Sequence, residues 1–295
     1  MEIRTLRYFL AIAREENMTK AAELLHVTQP TLSKALHALE EELGKKLFVR
    51  HSFSISLTDE GTLLRDRAED LVSMADKIER EFIALDEFTG GDLYLGLGES
   101  YHIRHLARAI RSLKNTYEDI NYHITSGDTE QVTEKLDKGL LDFAVLCETP
   151  DPKKYNCIPF PAADIWGVVM PAKCALAKKK TVRVDDLIGL PLFCSRQSWE
   201  NDIPRWAGAR MSALTLEGSF RLAYNSSIFV MEGLGYLLTF DKLINTSEGS
   251  ELTFRPLSPK LETKLYLIWN KYQTFTPIAE RFLRQVEYCF GIEKR

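Results

Sequence analysis

Apolar residues near the start of the chain recur with the period of a helix. Leu6, Phe9, Leu10 and Ala13 stand at i, i+3, i+4 and i+7, which predicts an amphipathic helix. "MTKAAELLHV" predicts a second helix, with Thr19 as its cap and Ala22 and Leu25 turned inward. Ala21 and Ala22 are small enough to let another helix approach closely. His26, Val27 and Thr28 form a turn. A third helix follows in "HVTQPTLSKALHAL": Thr28 caps it, Pro30 sits in its first turn, and Leu32, Leu36 and Leu39 make its buried stripe. Gly44 ends it. "KKLFVRHSFSISLT" then alternates about a short turn, as a β-hairpin does.

From Asp59 the helical period returns. Leu64, Ala68, Leu71, Ala75, Ile78, Phe82 and Leu85 are spaced 4, 3, 4, 3, 4, 3, a heptad seam. At about 1.5 Å per residue such a helix spans roughly 45 Å. One narrow stripe on so long a helix predicts pairing with a second copy, or else packing on the chain's own C-terminal part. "TGG" (89–91) reads as a break. Beyond it strands and helices alternate: strand "DLYLGLG", helix "SYHIRHLARAIRSLKNTY", strand "INYHITSG", helix "TEQVTEKLDKG", strand "LDFAVLC". A second set runs "IWGVVMP", "PLFC", a helix near Trp199–Ala209, "TLEGSF", a helix near Ser226–Glu232, and "GYLLTF". "KLYLIW" and a helix over Pro277–Phe290 close the chain and return to the first set. Repeated βαβ units predict a mainly parallel sheet.

The chemistry of the N-terminal segment changes the picture. Two helices joined by a three-residue turn and braced by a third match the helix-turn-helix motif, whose second helix enters the DNA major groove N-terminus first. Thr28, Gln29, Pro30, Thr31, Ser33, Lys34 and His37 face away from the buried stripe, and no acid appears among them before Glu40. An ordinary solvated helix is the competing reading at this point. Net charge does not decide it. The chain carries -4 overall, and residues 1–61 hold 8 basic against 9 acidic side chains. DNA binding has to be argued from where the charges sit.

The segment "MTKAAELLHVTQPTLSKALHALEEELGKKLFVR", followed by "LTDEG", resembles the LysR-type transcriptional regulators. The resemblance rests on Ala21, Ala22, Leu25, Thr28, Gln29, Pro30, Leu32, Ser33, Leu36, Leu39, Glu40, Leu43, Gly44, Leu47, Phe48 and Arg50. It implies an α+β multidomain chain. Residues 1–58 would be a winged helix-turn-helix, 59–89 a dimerising linker helix, and 90–295 a two-lobed α/β effector domain similar to periplasmic ligand-binding proteins. Lobe I would hold about 92–161 and 265–295, lobe II about 162–264. The partners implied are double-stranded promoter or operator DNA, a small-molecule effector with no further cofactor, and a second copy of the chain in a homodimer or homotetramer. The hairpin loop "HSFSIS" lacks the basic residues frequent in the family, which limits its phosphate contacts to Arg50 and His51.

Ligands of such folds bind beyond the carboxyl ends of the strands. The residues there are Glu99, Ser100 and Tyr101; Ser126, Gly127 and Asp128; Ser195 and Arg196; and Asn225. Helix N-termini at these points favour anions, and Arg196 could anchor one. Ser100, Thr129 and Asn225 serve equally as helix caps. Glu99 and Asp128 suit an amine, and a ligand of mixed charge would use both sets.

Other classes find no footing. There is no nucleophile elbow, phosphate loop or metal-ligand spacing, and His102 and His105 read as surface residues. A small-molecule-binding protein or enzyme on the same α/β domain, with no DNA role, would leave residues 17–50 unexplained. The 5 scattered cysteines include no Cys-x-x-Cys pair, so a metal or redox site is not expected and Cys194 has no evident partner for peroxide sensing. Reduced thiols, the absence of a signal peptide and the lack of any run of about 18 apolar residues predict a cytoplasmic protein without a membrane span.

Overall fold

In a computed structural model of the protein, residues 1–51, 54–83 and 90–292 are described. The chain divides into two compact units, residues 1–87 and 88–295.

The first unit runs α1 (Ile3–Glu15), α2 (Met18–Leu24), α3 (Gln29–Leu43), β1 (Phe48–Arg50), β2 (Ile55–Leu57) and α4 (Asp59–Ile83). α2 is capped by Asn17, not Thr19: the Asn17 side-chain oxygen Oδ1 accepts from the backbone N–H groups of Thr19 and Lys20 at 3.0 and 3.1 Å. Placed one residue into the helix, Thr19 cannot reach back to serve that end. Thr28 caps α3, accepting from the Thr31 amide at 3.4 Å, and Gly44 closes it with φ 64°. Leu6, Phe9, Ile12, Ala21, Ala22, Leu32, Leu36 and Leu39 form the core with Leu47, Phe48, Ile55 and Ala68. α1 is buried more widely than its stripe predicts, taking in Ile12 and Tyr8, because it is packed by α2, α3 and α4 together.

α4 is locked to the hairpin at its start. Thr58 Oγ1 accepts from the Gly61 amide at 2.9 Å and donates to the Lys46 carbonyl at 2.8 Å. A Cβ on Gly61 would stand 2.1 Å from the Leu47 carbonyl oxygen, so only glycine allows this approach. The helix then lies along α1: Ala68 is fully buried, Leu64 and Val72 pack on the same core, and Arg7 pairs with Asp76. The heptad seam therefore splits. Leu64 and Ala68 are consumed within the unit, whereas Leu71 (44% exposed), Ile78 (46%) and Phe82 (69%) remain on the surface with Leu63. Leu85 lies outside the described residues.

The second unit holds β3 (Gly90–Leu97), a 3-10 turn (Tyr101–Ile103), α5 (Arg104–Lys114), β4 (Asp119–Ser126), α6 (Thr129–Asp137), β5 (Phe143–Leu146) and β6 (Tyr155–Pro171). Then come β7 (Pro191–Ser195), α7 (Arg196–Glu200), α8 (Asp202–Ala207), β8 (Thr215–Phe220), α9 (Ala223–Met231), β9 (Tyr236–Phe240), β10 (Leu252–Pro256), β11 (Glu262–Asn270) and α10 (Pro277–Cys289). Among the described residues the strands form one path, β4-β3-β5-β11-β6-β9-β7-β8, with β10 on β6. The two ends are parallel, as the βαβ pattern predicts, but β11 and β6 run antiparallel to their neighbours. β6 changes partners midway. It pairs with β11 up to Ile165, and from Trp166 onward with β9 and β10. This is where one lobe passes into the other, and each lobe has its own core. Leu93, Leu95, Ile110, Phe143, Leu267 and Phe282 belong to the first; Val168, Met170, Leu192, Ile203 and Leu238 belong to the second.

Three elements differ from the sequence expectation. Gly90 and Gly91, read as a break, open β3, and the helix expected near Trp199–Ala209 is two short helices, α7 and α8. β6 starts ten residues before the apolar run that announces it, since Pro159 and Pro161 interrupt the pattern there. Pro159 is tolerated where the β6–β11 register shifts between Lys264 and Tyr266, a place where a strand can lack one donor.

Candidate functional site

The N-terminal turn of α3 stands clear of the core. Thr28, Gln29, Pro30, Thr31, Lys34 and His37 are exposed and Ser33 is half-buried. Gln29, Ser33, Lys34 and His37 line a groove of about 780 Å³ that α3 forms with the hairpin, over a floor of Leu36, Phe48 and Ile55. The Thr28 and Thr31 hydroxyls bond to each other at 2.8 Å, which fixes the helix entrance. His37 Nε2 lies 3.4 Å from Glu41. Lys34 has no acidic partner among the described residues. His51 Nε2 and Ser56 Oγ are 2.9 Å apart across the hairpin. Arg50 ends β1, and its side chain lies outside the described ones.

Glu40, the first acid of α3, also lines this groove, yet its charge is already used. It accepts from Lys46 Nζ at 2.6 Å and from the Leu47 amide at 2.9 Å. Burial works to raise its pKa, but the Lys46 ammonium and the Leu47 and Phe48 amides outweigh it and hold the carboxyl below its ordinary range. Lys46 is a groove residue the sequence reading missed. The signal was the basic pair Lys45-Lys46 between Gly44 and the first strand.

In the second unit, a cavity of about 80 Å³ lies between the lobes beyond the carboxyl ends of β3, β4 and β7. Of the residues expected there, Glu99, Gly127, Asp128 and Ser195 line it. Ser100, Tyr101, Ser126, Arg196 and Asn225 do not. Ser100 caps the 3-10 turn, accepting from the His102 amide at 2.9 Å. Tyr101 faces outward under Arg104 and Lys242, and Ser126 is exposed at the end of β4. Arg196 is 85% exposed and faces Glu200 one turn along α7, because a residue just after the Ser195 cap is carried to the helix's outer side. Asn225 does not precede a helix: α9 begins at Ala223, so Asn225 lies within its first turn, exposed.

Arg221 and Gln197 line the cavity in their place, with Thr129, Ser198 and an apolar wall that includes Trp166, Phe220, Leu238 and Phe240. Three contacts cross the cavity from lobe to lobe. Glu99 Oε2 accepts from the Ala223 amide at 2.6 Å, capping α9, which has no side-chain cap of its own. Gln197 exchanges bonds with Thr129, accepting from its amide at 3.3 Å and donating to its hydroxyl at 3.0 Å. Arg221 Nε stands 3.6 Å from Asp128 Oδ2, while Asp128 Oδ1 caps α6 at Gln131. Burial raises the pKa of Glu99, opposed by the Ala223 amide.

Behind the cavity wall, His102 turns inward, contrary to the sequence reading. Its Nε2 lies 3.7 Å from Asp164, which is 2% exposed on β6 beside the change of partner. Burial pushes the Asp164 carboxyl up to about 7, with Ser100 opposing and Asp241 adding. Cys194 is fully buried, and burial drives its thiol pKa far up, so it is no thiolate nucleophile.

The comparisons with known proteins cover both units. The model described as "Bacterial regulatory helix-turn-helix protein, lysR family" matches residues 3–62, and "LysR substrate binding domain" matches residues 87–289. The HTH-type transcriptional regulator YtlI of Bacillus subtilis is 30% identical over 242 residues, 80% of this chain and 76% of that one. The DNA-binding transcriptional dual regulator OxyR of Escherichia coli is 30% identical over 159 residues, 54% of this chain and 52% of its own. Full-length CbnR, solved in complex with its target DNA, shares the fold with a TM-score of 0.77 at 20% identity, covering 98% of this chain and 100% of that one. No helix among the described residues is long and apolar enough to cross a membrane. The chain belongs to the LysR family, and it is a DNA-binding transcriptional regulator with a small-molecule effector domain, not an enzyme.

Proposed function

We propose that the N-terminal half of α3 reads operator DNA in the major groove. Gln29, Ser33, Lys34 and His37 would meet base edges and phosphates. Thr28, Pro30 and Thr31 would set the helix entrance against the backbone, with Lys46, Arg50 and His51 on flanking phosphates. The observation that carries this reading is the charge of the groove: its first acid, Glu40, is spent on Lys46 and the Leu47 amide. CbnR, which shares the fold, was solved in complex with its target DNA, and that likeness supports DNA as the partner. The exposed Leu71, Ile78 and Phe82 of α4 form a stripe suited to a second copy, in a homodimer or within a homotetramer. A promoter-DNA partner and free cysteines support the reading of a cytoplasmic protein.

The effector site is the cavity between the lobes, bounded by Glu99, Gly127, Asp128, Ser195, Gln197 and Arg221. At about 80 Å³ it is well below the several hundred Å³ usual for ligand pockets. The effector therefore enters by breaking the cross-lobe contacts, and the lobes reclose around it.

Two measurements test this. In operator titrations across salt concentrations, Lys34→Ala should weaken binding and flatten the salt slope by about one ion. An unchanged slope removes Lys34 from the phosphate contacts. For the effector site, melting of the full chain is followed by tryptophan fluorescence against a panel of small acids, amines, alcohols, sugars and amino acids. All 4 tryptophans lie in the second unit, so the signal reports the right part of the chain. A panel in which nothing raises the melting point counts against the cavity as a ligand site.

A further inference from the structure

The two walls of the cleft carry opposite charge. Lobe I presents carboxylates, Glu99 and Asp128. Lobe II presents the Arg221 guanidinium and the backbone amide of Ala223, at the start of α9, which has no side-chain cap within its own helix. With the cavity closed, these groups satisfy one another across it: Glu99 on the Ala223 amide, Asp128 facing Arg221. Each contact is a compromise. Arg221 Nε is 3.6 Å from Asp128, beyond hydrogen-bond distance. Glu99 has an amide donor but no cation on it among the described residues, and burial raises its pKa.

We infer that the cleft takes a small zwitterion of the α-amino-acid type, its carboxylate on Arg221 and the Ala223 amide and its ammonium between Glu99 and Asp128. This rests on the reading of the cleft as the effector site and names the ligand's chemical class. An anion alone would satisfy lobe II and leave the half-buried Glu99 and Asp128 carboxylates without a cation. A cation alone would leave Arg221 without its acid. A zwitterion replaces both cross-lobe contacts at once with charge-assisted bonds of better geometry, which makes it the ligand around which the lobes can reclose. Trp166, Phe220, Leu238 and Phe240 leave an apolar recess for its side chain, and Ser195, Ser198 and Thr129 supply neutral bonds at the rim.

The experiment is calorimetric titration of the full chain with the standard L-amino acids, each beside its deaminated acid and its decarboxylated amine. At least one amino acid should bind, with its acid and its amine each weaker by about tenfold or more. Glu99→Gln keeps an oxygen that can accept from Ala223. It should bring the amino acid's affinity down to within about threefold of its deaminated acid while the acid's own affinity holds, a pattern that misfolding cannot produce. Arg221→Gln should do the converse, erasing the advantage over the amine. A deaminated acid, an amine or any uncharged compound that binds as well as the amino acids overturns the zwitterion and leaves the effector reading standing. Failure of every amino acid to bind overturns it too, as does an amino acid whose affinity neither substitution changes.

Discussion

Removing the Glu40 carboxylate should loosen the hairpin from α3, and the structure sets the size of the effect. Glu40 holds two partners of unequal worth. Lys46 is 71% exposed on its side chain, so its ion pair, though at 2.6 Å, contributes at most a few tenths of a kcal/mol up to about 1. The Leu47 amide is different, since Leu47 is 1% exposed and the amide has no water to turn to. A buried donor left unsatisfied costs about 1–3 kcal/mol, and a bond to a charged acceptor lies in the upper part of that range. Glu40→Ala should therefore destabilise the hairpin anchor by about 2–3 kcal/mol, whereas Glu40→Gln, which keeps an acceptor and loses the charge, should cost about 1. Amide hydrogen exchange on the full chain reads this locally. Leu47 should exchange roughly 30–150 times faster in the alanine variant and only a few times faster in the glutamine variant. Acid should mimic the substitution. The folded-state pKa of Glu40 is depressed, so its stabilisation is present above its unfolded value of 4.5 and is lost as pH falls through the lower folded value. Leu47 protection that is the same in the wild type and the alanine variant would refute this account of the anchor.

Four further outcomes are expected. Leu71→Glu puts like charges opposite each other if α4 pairs with a second copy, and sedimentation should show smaller assemblies; an unchanged sedimentation coefficient moves the contact elsewhere. Gly61→Ala should destabilise the first unit despite alanine's advantage of about 1 kcal/mol in a helix, because a Cβ 2.1 Å from the Leu47 carbonyl forces strain of about 1–3 kcal/mol; a more stable variant contradicts the close approach. Arg196→Ala should leave reporter response to the effector at the wild-type level, since Arg196 points away from the cavity, and a lost response would return it to the site. Asp164, its folded pKa raised from 3.8 to about 7, stabilises least once pH has risen through 7; Asp164→Asn should flatten the decline in melting temperature between about pH 4 and 7, and an unaltered profile would show the carboxyl is not the cause.

The first unit was far more legible in the sequence than the second, for physical reasons. Helix periods and caps are local, so the spacing of Leu32, Leu36 and Leu39 and the pairing of Thr28 with Gly44 announce α3 without any knowledge of its neighbours. Glu40 needed more, because its worth depends on a backbone amide seven residues away that only the hairpin brings near. The cleft is entirely non-local. Strand ends could be named from the alternation of elements, and Glu99, Gly127, Asp128 and Ser195 follow from that. Gln197 stands at one of those ends without having been singled out as a ligand contact, and Arg221 follows β8, whose end was not among them. What aims them inward is the contact with the other lobe: Gln197 with Thr129, 68 positions away in the chain, and Arg221 with Asp128, further still. Arg196 misled for the complementary reason: a charge beside a helix start looks like an anchor until the helix rotates it outward. The heptad of α4 was read correctly as a stripe, but a period says nothing of how much of that stripe another helix of the same unit will take, and α1 takes Leu64 and Ala68.

The charge balance of residues 1–61 bears on how they can bind DNA at all. A segment with 8 basic and 9 acidic side chains has no excess field to draw in a polyanion. Four of these nine acids, however, face a cation, as does Asp76 further along α4. Glu40 faces Lys46, Glu41 faces His37, Glu42 takes the N-terminal amine, Glu60 faces Lys45, and Asp76 pairs with Arg7. Only the first two pairs border the groove, and both are at exposed cations whose ion pairs are worth little in water. Lys46 and His37 can therefore exchange a carboxylate for a phosphate at small cost, while Lys34 needs no exchange. On the proposed reading the electrostatic contribution comes from Lys34, His37, Lys46, Arg50 and His51, and hydrogen bonds from Gln29 and Ser33 carry a correspondingly larger share. If binding is divided as proposed, DNA of arbitrary sequence gains little and the operator is favoured mainly through those hydrogen bonds.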